Sequence, residues 1–209
     1  MVVLHYTAMD SAEAALARLS DPAAEVSAHY LVAGDGRIWQ LVPEARRAWH
    51  AGAGAWGGVA DVNSRSIGVE LDNRGDHPFA AAQMQALEAL LDRVLARWAI
   101  PPARVIGHSD MAPGRKRDPG PRFDWARLAR GCRAVRAEAR AAPADAARFR
   151  IAAARIGYRA PGDDWDAVLA AFRLRFRPSA AGPLAGADVG LAEALAAAHP
   201  CIDSDLPGT

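Results

Sequence analysis

Apolar positions along this chain follow two rhythms. Continuous aliphatic and β-branched runs of strand length occur at residues 2–5, 27–33, 37–42, 67–71 and 104–107, each closed off by turn-forming residues. Gly34-Asp35-Gly36 separates the second run from the third and predicts a hairpin, which would give the sheet two antiparallel strands. Between the runs lie stretches with apolar residues at helical spacing. Asp10 and Ser11 offer N-cap oxygens to a helix whose Ala15, Leu16 and Leu19 share one face and which stops before Asp21-Pro22. The clearest period spans 80–98, with Met84, Leu87, Leu91, Val94 and Trp98 as a packing stripe ended by Pro101-Pro102. Residues 43–48 read as a helical turn and 125–139 as a last helix carrying Cys132. Strands alternating with helices predict an α/β fold: a central mixed β-sheet flanked by helices.

The pattern changes after Ala141-Ala142-Pro143-Ala144, which reads as a linker. Three short helical stretches follow at 149–156, 165–176 and 190–198, with Val168, Phe172, Phe176 and Leu195 as candidate core. The expected organisation is a domain over 1–141 and a small C-terminal three-helix domain over 145–209.

Composition narrows the classes of function. A chain of 209 residues, 51% hydrophobic, can bury one good core and a satellite, and no apolar run reaches membrane-spanning length. With 25 basic and 24 acidic residues the formal charge is +1, so no global field draws the chain to nucleic acid or an anionic membrane. Cys132 and Cys201 are read as free thiols, too few for a cysteine-rich metal site. The first residues lack the basic and apolar regions of a signal peptide. That favours the cytoplasm, with the periplasm or outer membrane as the alternative if residues have been trimmed before Met1; separately, a monomer is expected.

Candidate chemistry gathers where apolar runs end. His5 follows Val2-Val3-Leu4, His108 follows Val105-Ile106-Gly107, and Asp118 stands ten positions after His108 in a loop stiffened by Pro113 and Pro119. Two histidines and a carboxylate would leave a tetrahedral ion one open position, as catalytic zinc sites do. A histidine met singly is more often a hydrogen-bonded structural residue. The glycine-rich stretch 51–58, with Trp56 and the neighbouring Trp49 and His50, is either a passive connection or the wall of a cleft, and its glycines and aromatics favour the cleft.

Six peptides appear in an order that resembles a known family: Leu4-His5-Tyr6-Thr7, Ser27-Ala28-His29-Tyr30, Ala48-Trp49-His50-Ala51-Gly52, Ser66-Ile67-Gly68-Val69-Glu70-Leu71-Asp72-Asn73, Gly107-His108-Ser109-Asp110 and Arg115-Lys116-Arg117-Asp118-Pro119-Gly120. The chain is similar to zinc-dependent N-acetylmuramoyl-L-alanine amidases of the AmpD/AmiD type, which share a fold with peptidoglycan recognition proteins. The resemblance implies one Zn2+ per chain held by His5, His108 and Asp118. It implies Glu70 as the carboxylate that takes and returns a proton, and Lys116 as the cation beside the developing oxyanion. Trp49, His50, Asn63 and Arg74 are the substrate-lining candidates, and His29 is read as structural. His77 and His199 lie outside the six blocks and receive no role. The implied reaction cuts the amide between N-acetylmuramic acid, intact or in its 1,6-anhydro form, and L-alanine of the stem peptide, in cell-wall degradation or recycling. The last third resembles a peptidoglycan-binding domain whose Gly-x-x-Asp-x-x-Thr segment is altered to Gly186-Ala187-Asp188-Val189-Gly190. A non-catalytic recognition module is the rival reading, and the retained Asp118 argues against it. A zinc peptidase acting within the stem lacks its His-Glu-x-x-His here.

Overall fold

Every predicted apolar run contains a strand in the computed structural model, which describes residues 1–201. The strands are β1 (Val2–Tyr6), β2 (Tyr30–Val32), β3 (Ile38–Gln40), β4 (Ile67–Leu71) and β5 (Val105–Gly107), in the sheet order β3-β2-β4-β1-β5. The hairpin forms, but β2 runs parallel to β4, so β3 alone is antiparallel to the rest. The two hairpin strands are antiparallel to each other as expected, and because the hairpin joins the parallel sheet by its first strand only its second is reversed against the rest.

Helices cover both faces of this sheet, which is why β1 is apolar without alternation. Val2 and Leu4 pack with Val69, Leu71 and the Met84, Leu87, Leu91 and Val94 stripe of α2 (Ala81–Trp98), in a helix that appears where its period predicted. Met1, Val3 and Ile106 look the other way, into a core shared with α5 (Ala146–Ile156), α6 (Trp165–Phe176) and α7 (Gly186–Ala198). Val168, Phe172 and Leu195 sit fully buried in that core, with Phe176 at its edge. The three C-terminal helices therefore form the second layer of the sheet. α1 (Ala12–Ser20) is capped by Ser11, whose Oγ accepts from the Ala14 N–H at 3.1 Å, and packs against β2.

Of two further helical expectations, one becomes a plain turn and the other a shorter helix. Residues 43–48 form only turns. The helix expected over 125–139 is α4 (Trp125–Arg130), followed by Gly131 and by Cys132 at φ +56°. The turn is pinned from α2, where Glu88 pairs with Arg127 and Asp92 with Arg133. It sends Ala134 into one core and Val135 into the other, so the chain crosses between layers where a helix would have kept it on one face. The following segment presses on α7. Side chains at Gly186 and Gly190 would meet the Ala142 and Arg140 carbonyl oxygens at 2.0 and 1.8 Å. Those two glycines of the altered motif serve this close approach, and Asp188 between them is a buried acceptor for Arg173, Arg177 and the Ala185 N–H.

Candidate active site

Three parallel strands, β4, β1 and β5, point their carboxyl ends the same way, and the side chains expected to do chemistry gather there. In open α/β sheets this is where ligands are bound. His5 lies next to the end of β1, directly beside Glu70 of β4 in the register of the two strands. His108 opens α3 (His108–Met111), a single turn that follows β5, and the Ser109 N–H donates to Asp118 O at 2.9 Å, drawing the Asp118 loop beneath it. The result brings His5, His108 and Asp118 together: one ligand atom from each lies within 4.8 Å of the others, and all three residues are buried. His5 Nδ1 and His108 Nδ1 are 2.9 Å apart, and each is 3.0 Å from Asp118 Oδ2.

Hydrogen bonds on the far sides of the rings decide which nitrogens carry protons. His108 Nε2 is 2.8 Å from Ala51 O, which can only accept, and although Arg115 Nη2 is 3.3 Å from the same nitrogen its protons go to Ala51 O and Ala53 O, so Nε2 carries the proton and Nδ1 presents a lone pair. For His5 the chain of reasoning is longer. The Ser66 hydroxyl donates to Val62 O at 2.5 Å, so its oxygen is left to accept from His50 Nε2 at 3.2 Å. His50 Nδ1 is then the acceptor for His5 Nε2 at 3.0 Å, and His5 Nδ1 is bare as well. Two imidazole lone pairs and a carboxylate oxygen converge with no proton among them. Such a donor set fits a cation. Burial agrees with the neutral rings, pushing His5 down to about 4 and His50 well below the usual imidazole value.

The cluster forms the floor of a cleft of about 440 Å³ that Glu70, Lys116, Trp49 and His50 also line. Glu70, the carboxylate expected to move the proton, faces this cleft. Its Oε2 is buried without a hydrogen-bond partner, and burial, with Asp118 adding to it and Lys116 opposing, pushes the carboxyl up to about 8. Trp49 is 58% exposed; its backbone N–H donates to Ser27 Oγ, and the Arg47 guanidinium lies 4.4 Å from its ring centre.

Sequence comparison gives this arrangement a family. A model of the N-acetylmuramoyl-L-alanine amidases matches residues 1–121. The amidase AmiD of Escherichia coli K12 is 40% identical over 93% of this chain and 81% of its own. The chain belongs to the N-acetylmuramoyl-L-alanine amidase family. Among solved structures, the complex of Escherichia coli AmiD with anhydro-N-acetylmuramic acid-L-Ala-D-γ-Glu-L-Lys matches with a TM-score of 0.86, over 93% of this chain and 87% of that one. AmpDh3 from Pseudomonas aeruginosa, in complex with anhydromuramic pentapeptide, matches with a TM-score of 0.82 at 29% identity, over 96% and 92% of the two chains. Both matches run through the C-terminal helices as well as the sheet.

Two substrate-lining candidates are not brought to this amidase cleft. Asn63 is buried behind it, where Oδ1 accepts from the His50 and Ala51 N–H groups at 3.0 and 2.8 Å and so shapes the wall from the rear. Arg74 is exposed at the rim of another hollow and pairs with Asp10 and Asp76. A long charged side chain beside two surface aspartates is held by them. The glycine-rich stretch after His50 also turns away from the cleft: the Ala55 N–H donates to Met111 O, and Trp56 is buried edge-on against Tyr158, their ring centres 4.9 Å apart. His29 is structural, as expected, accepting from the Gly68 N–H and facing Arg46 O. Sequence reasoning missed Ser66 and Asp110, whose roles depend on contacts distant in the chain. A signal did exist for Gly68, since an isolated glycine in an apolar strand marks a close approach. A Cβ there would lie 2.4 Å from the His50 ring. Gly68→Ala should therefore destabilise the fold by about 1–3 kcal/mol and weaken metal retention by displacing His50. Urea unfolding and chelator competition read the two effects, and native values in both would mean that His50 does not depend on the bare strand backbone.

Proposed function

We propose that this chain hydrolyses the amide between the lactyl group of N-acetylmuramic acid and L-alanine of the peptidoglycan stem peptide, with one Zn2+ held by His5, His108 and Asp118, and that it accepts the 1,6-anhydro form of the sugar. The observation that carries this reading is the convergence of His5 Nδ1 and His108 Nδ1 on Asp118 Oδ2, with the outer contacts of both rings engaging Nε2, beside an unpartnered Glu70 oxygen. The anhydromuramic ligands of the AmiD and AmpDh3 complexes support the substrate class.

A bound zinc ion supplies Lewis acidity to the scissile carbonyl and to a water molecule. The chain's own residues do the rest. Glu70 Oε2, with no other partner, accepts the proton of the attacking water, and the same carboxyl returns it to the departing alanine nitrogen. Lys116 lines the same cleft and presents positive charge toward the oxygen on which negative charge develops. Ser66 and His50 keep His5 in one tautomer and Ala51 does the same for His108, so neither ring must reorganise during turnover. Trp49 offers an apolar face at the cleft mouth.

Mass spectrometry of products from anhydro-N-acetylmuramyl peptide tests the reading: release of the intact stem peptide with a free L-alanine amine is expected. Cleavage within the stem would overturn it. Glu70→Gln keeps the shape but removes the base, so kcat should fall by roughly 100-fold or more with zinc content unchanged. An unaltered kcat would move proton transfer to another group.

A further inference from the structure

The turn that carries His108 cannot hold itself. α3 is four residues long, far below the length at which a helix is stable alone. Its position comes from Asp110, which has no exposed surface and accepts three hydrogen bonds. One is local, from the Gly107 N–H to Oδ2 at 2.8 Å. The other two come from the C-terminal third of the chain: Tyr158 Oη donates to Oδ1 at 2.6 Å, and Arg175 Nη1 to Oδ2 at 2.8 Å. Arg175 Nη2 also donates to Val105 O at 2.9 Å. One guanidinium thus ties β5 to α3 and brackets Gly107 and His108 between its two bonds. The guanidinium is itself held between the rings of Trp125 and Phe176, at 4.6 and 4.8 Å from their centres. Tyr158 is fully buried, with Trp56 and Phe172 edge-on around it.

We infer that Tyr158 and Arg175 are positioning residues of the metal site, which set the His108 backbone through Asp110 and make the C-terminal helices part of the catalytic apparatus. The inference rests on the zinc-amidase reading above. Neither residue touches a ligand atom, and both act on the peptide from which His108 projects. Loosening that peptide separates the His108 nitrogen from its two partners, which lie at 2.9 and 3.0 Å. Outer contacts of this kind carry roughly 10- to 100-fold in metal affinity or activity when lost.

Full-length Tyr158→Phe and Arg175→Lys are the test, with Arg173→Met as the comparison. Arg173 belongs to the same helix and makes a buried ion pair with Asp188, but it has no bond to Asp110. Zinc dissociation constants from chelator competition, the visible spectrum of the Co2+-loaded protein, kcat on soluble anhydro-muropeptide and Tm are measured on all three. Tyr158→Phe keeps the packing ring and should weaken zinc binding about 10-fold, with an altered Co2+ spectrum and reduced kcat. Arg175→Lys should do the same. Arg173→Met should lower Tm while the folded protein keeps native zinc affinity and spectrum. Native affinity, spectrum and kcat in both Tyr158→Phe and Arg175→Lys, whatever their Tm, would overturn the positioning role and leave the zinc reading intact. An effect of equal size in Arg173→Met would reduce the coupling to general stability and overturn it too. A wild-type chain that binds neither ion removes both readings together.

Discussion

Asp118→Ala should leave the protein with little zinc and with activity near background. Asp118 is the sole anion among the three converging ligands, and its carboxylate lies 3.0 Å from each Nδ1. Without it, two imidazole lone pairs 2.9 Å apart face a cation with no compensating charge. Protonation of one ring then competes with metal, because separating or charging one imidazole relieves their repulsion. Outer contacts of metal sites already cost 10- to 100-fold, so losing a ligand should cost more than about 100-fold in affinity. His108→Ala should behave alike, and it also vacates the Ala51 carbonyl that fixes the ring. Elemental analysis after dialysis against a chelator gives the answer: about one zinc per wild-type chain and a small fraction of that in each variant. Full occupancy in both would mean that the ligands lie elsewhere.

Truncation after Ala142 should be more damaging still, because it removes one layer of a two-layered sheet. The change of sequence pattern at 141–145 suggested a separable domain, which would leave the site intact on removal. The packing leads to a different expectation. Val3, Ile106 and Met111 lie in one core with Phe149, Val168, Phe172 and Leu195, and Trp56 is covered by Tyr158. Exposing each such side chain costs about 1.5–3 kcal/mol, and five or more of them approach the whole stability of an ordinary domain, about 5–15 kcal/mol. Asp110 would lose Tyr158 and Arg175 together, leaving a carboxylate with one local bond, a defect of about 3–5 kcal/mol where the site stays dry. The shortened chain should be unfolded or aggregated by circular dichroism and limited proteolysis, and inactive on soluble muropeptide as well as on sacculi. A folded fragment that binds one zinc and cleaves soluble muropeptide would show that residues 1–142 are self-sufficient. Loss confined to sacculi would make the helices a wall anchor.

Local pattern was enough for much of this molecule. The strands of the sheet, α2 with its packing stripe, the N-cap of α1 and the order of the six motif blocks could all be read along the chain. Each depends on neighbours a few residues apart, and side-chain periodicity records those directly. The motif order also named His5, His108, Asp118, Glu70 and Lys116, and the fold brings these five to one cleft. Pattern could not say what covers each face. Val2 and Val3 are the same residue to any reading of hydrophobicity, yet one faces α2 and the other the C-terminal helices. Nor could it assign a polar side chain to a partner. Asn63 and Arg74 were both reasonable for the groove, and the tertiary structure turned one against the His50 backbone and left the other with surface aspartates. The tautomers of His5 and His108 depend on Ser66, His50 and Ala51, and the seat of His108 depends on Tyr158 and Arg175. The sequence determined which residues could do the chemistry. Only the tertiary structure decided where their protons and supports lie, because these hydrogen bonds join residues 16 to 65 positions apart and exist only after the layers have packed.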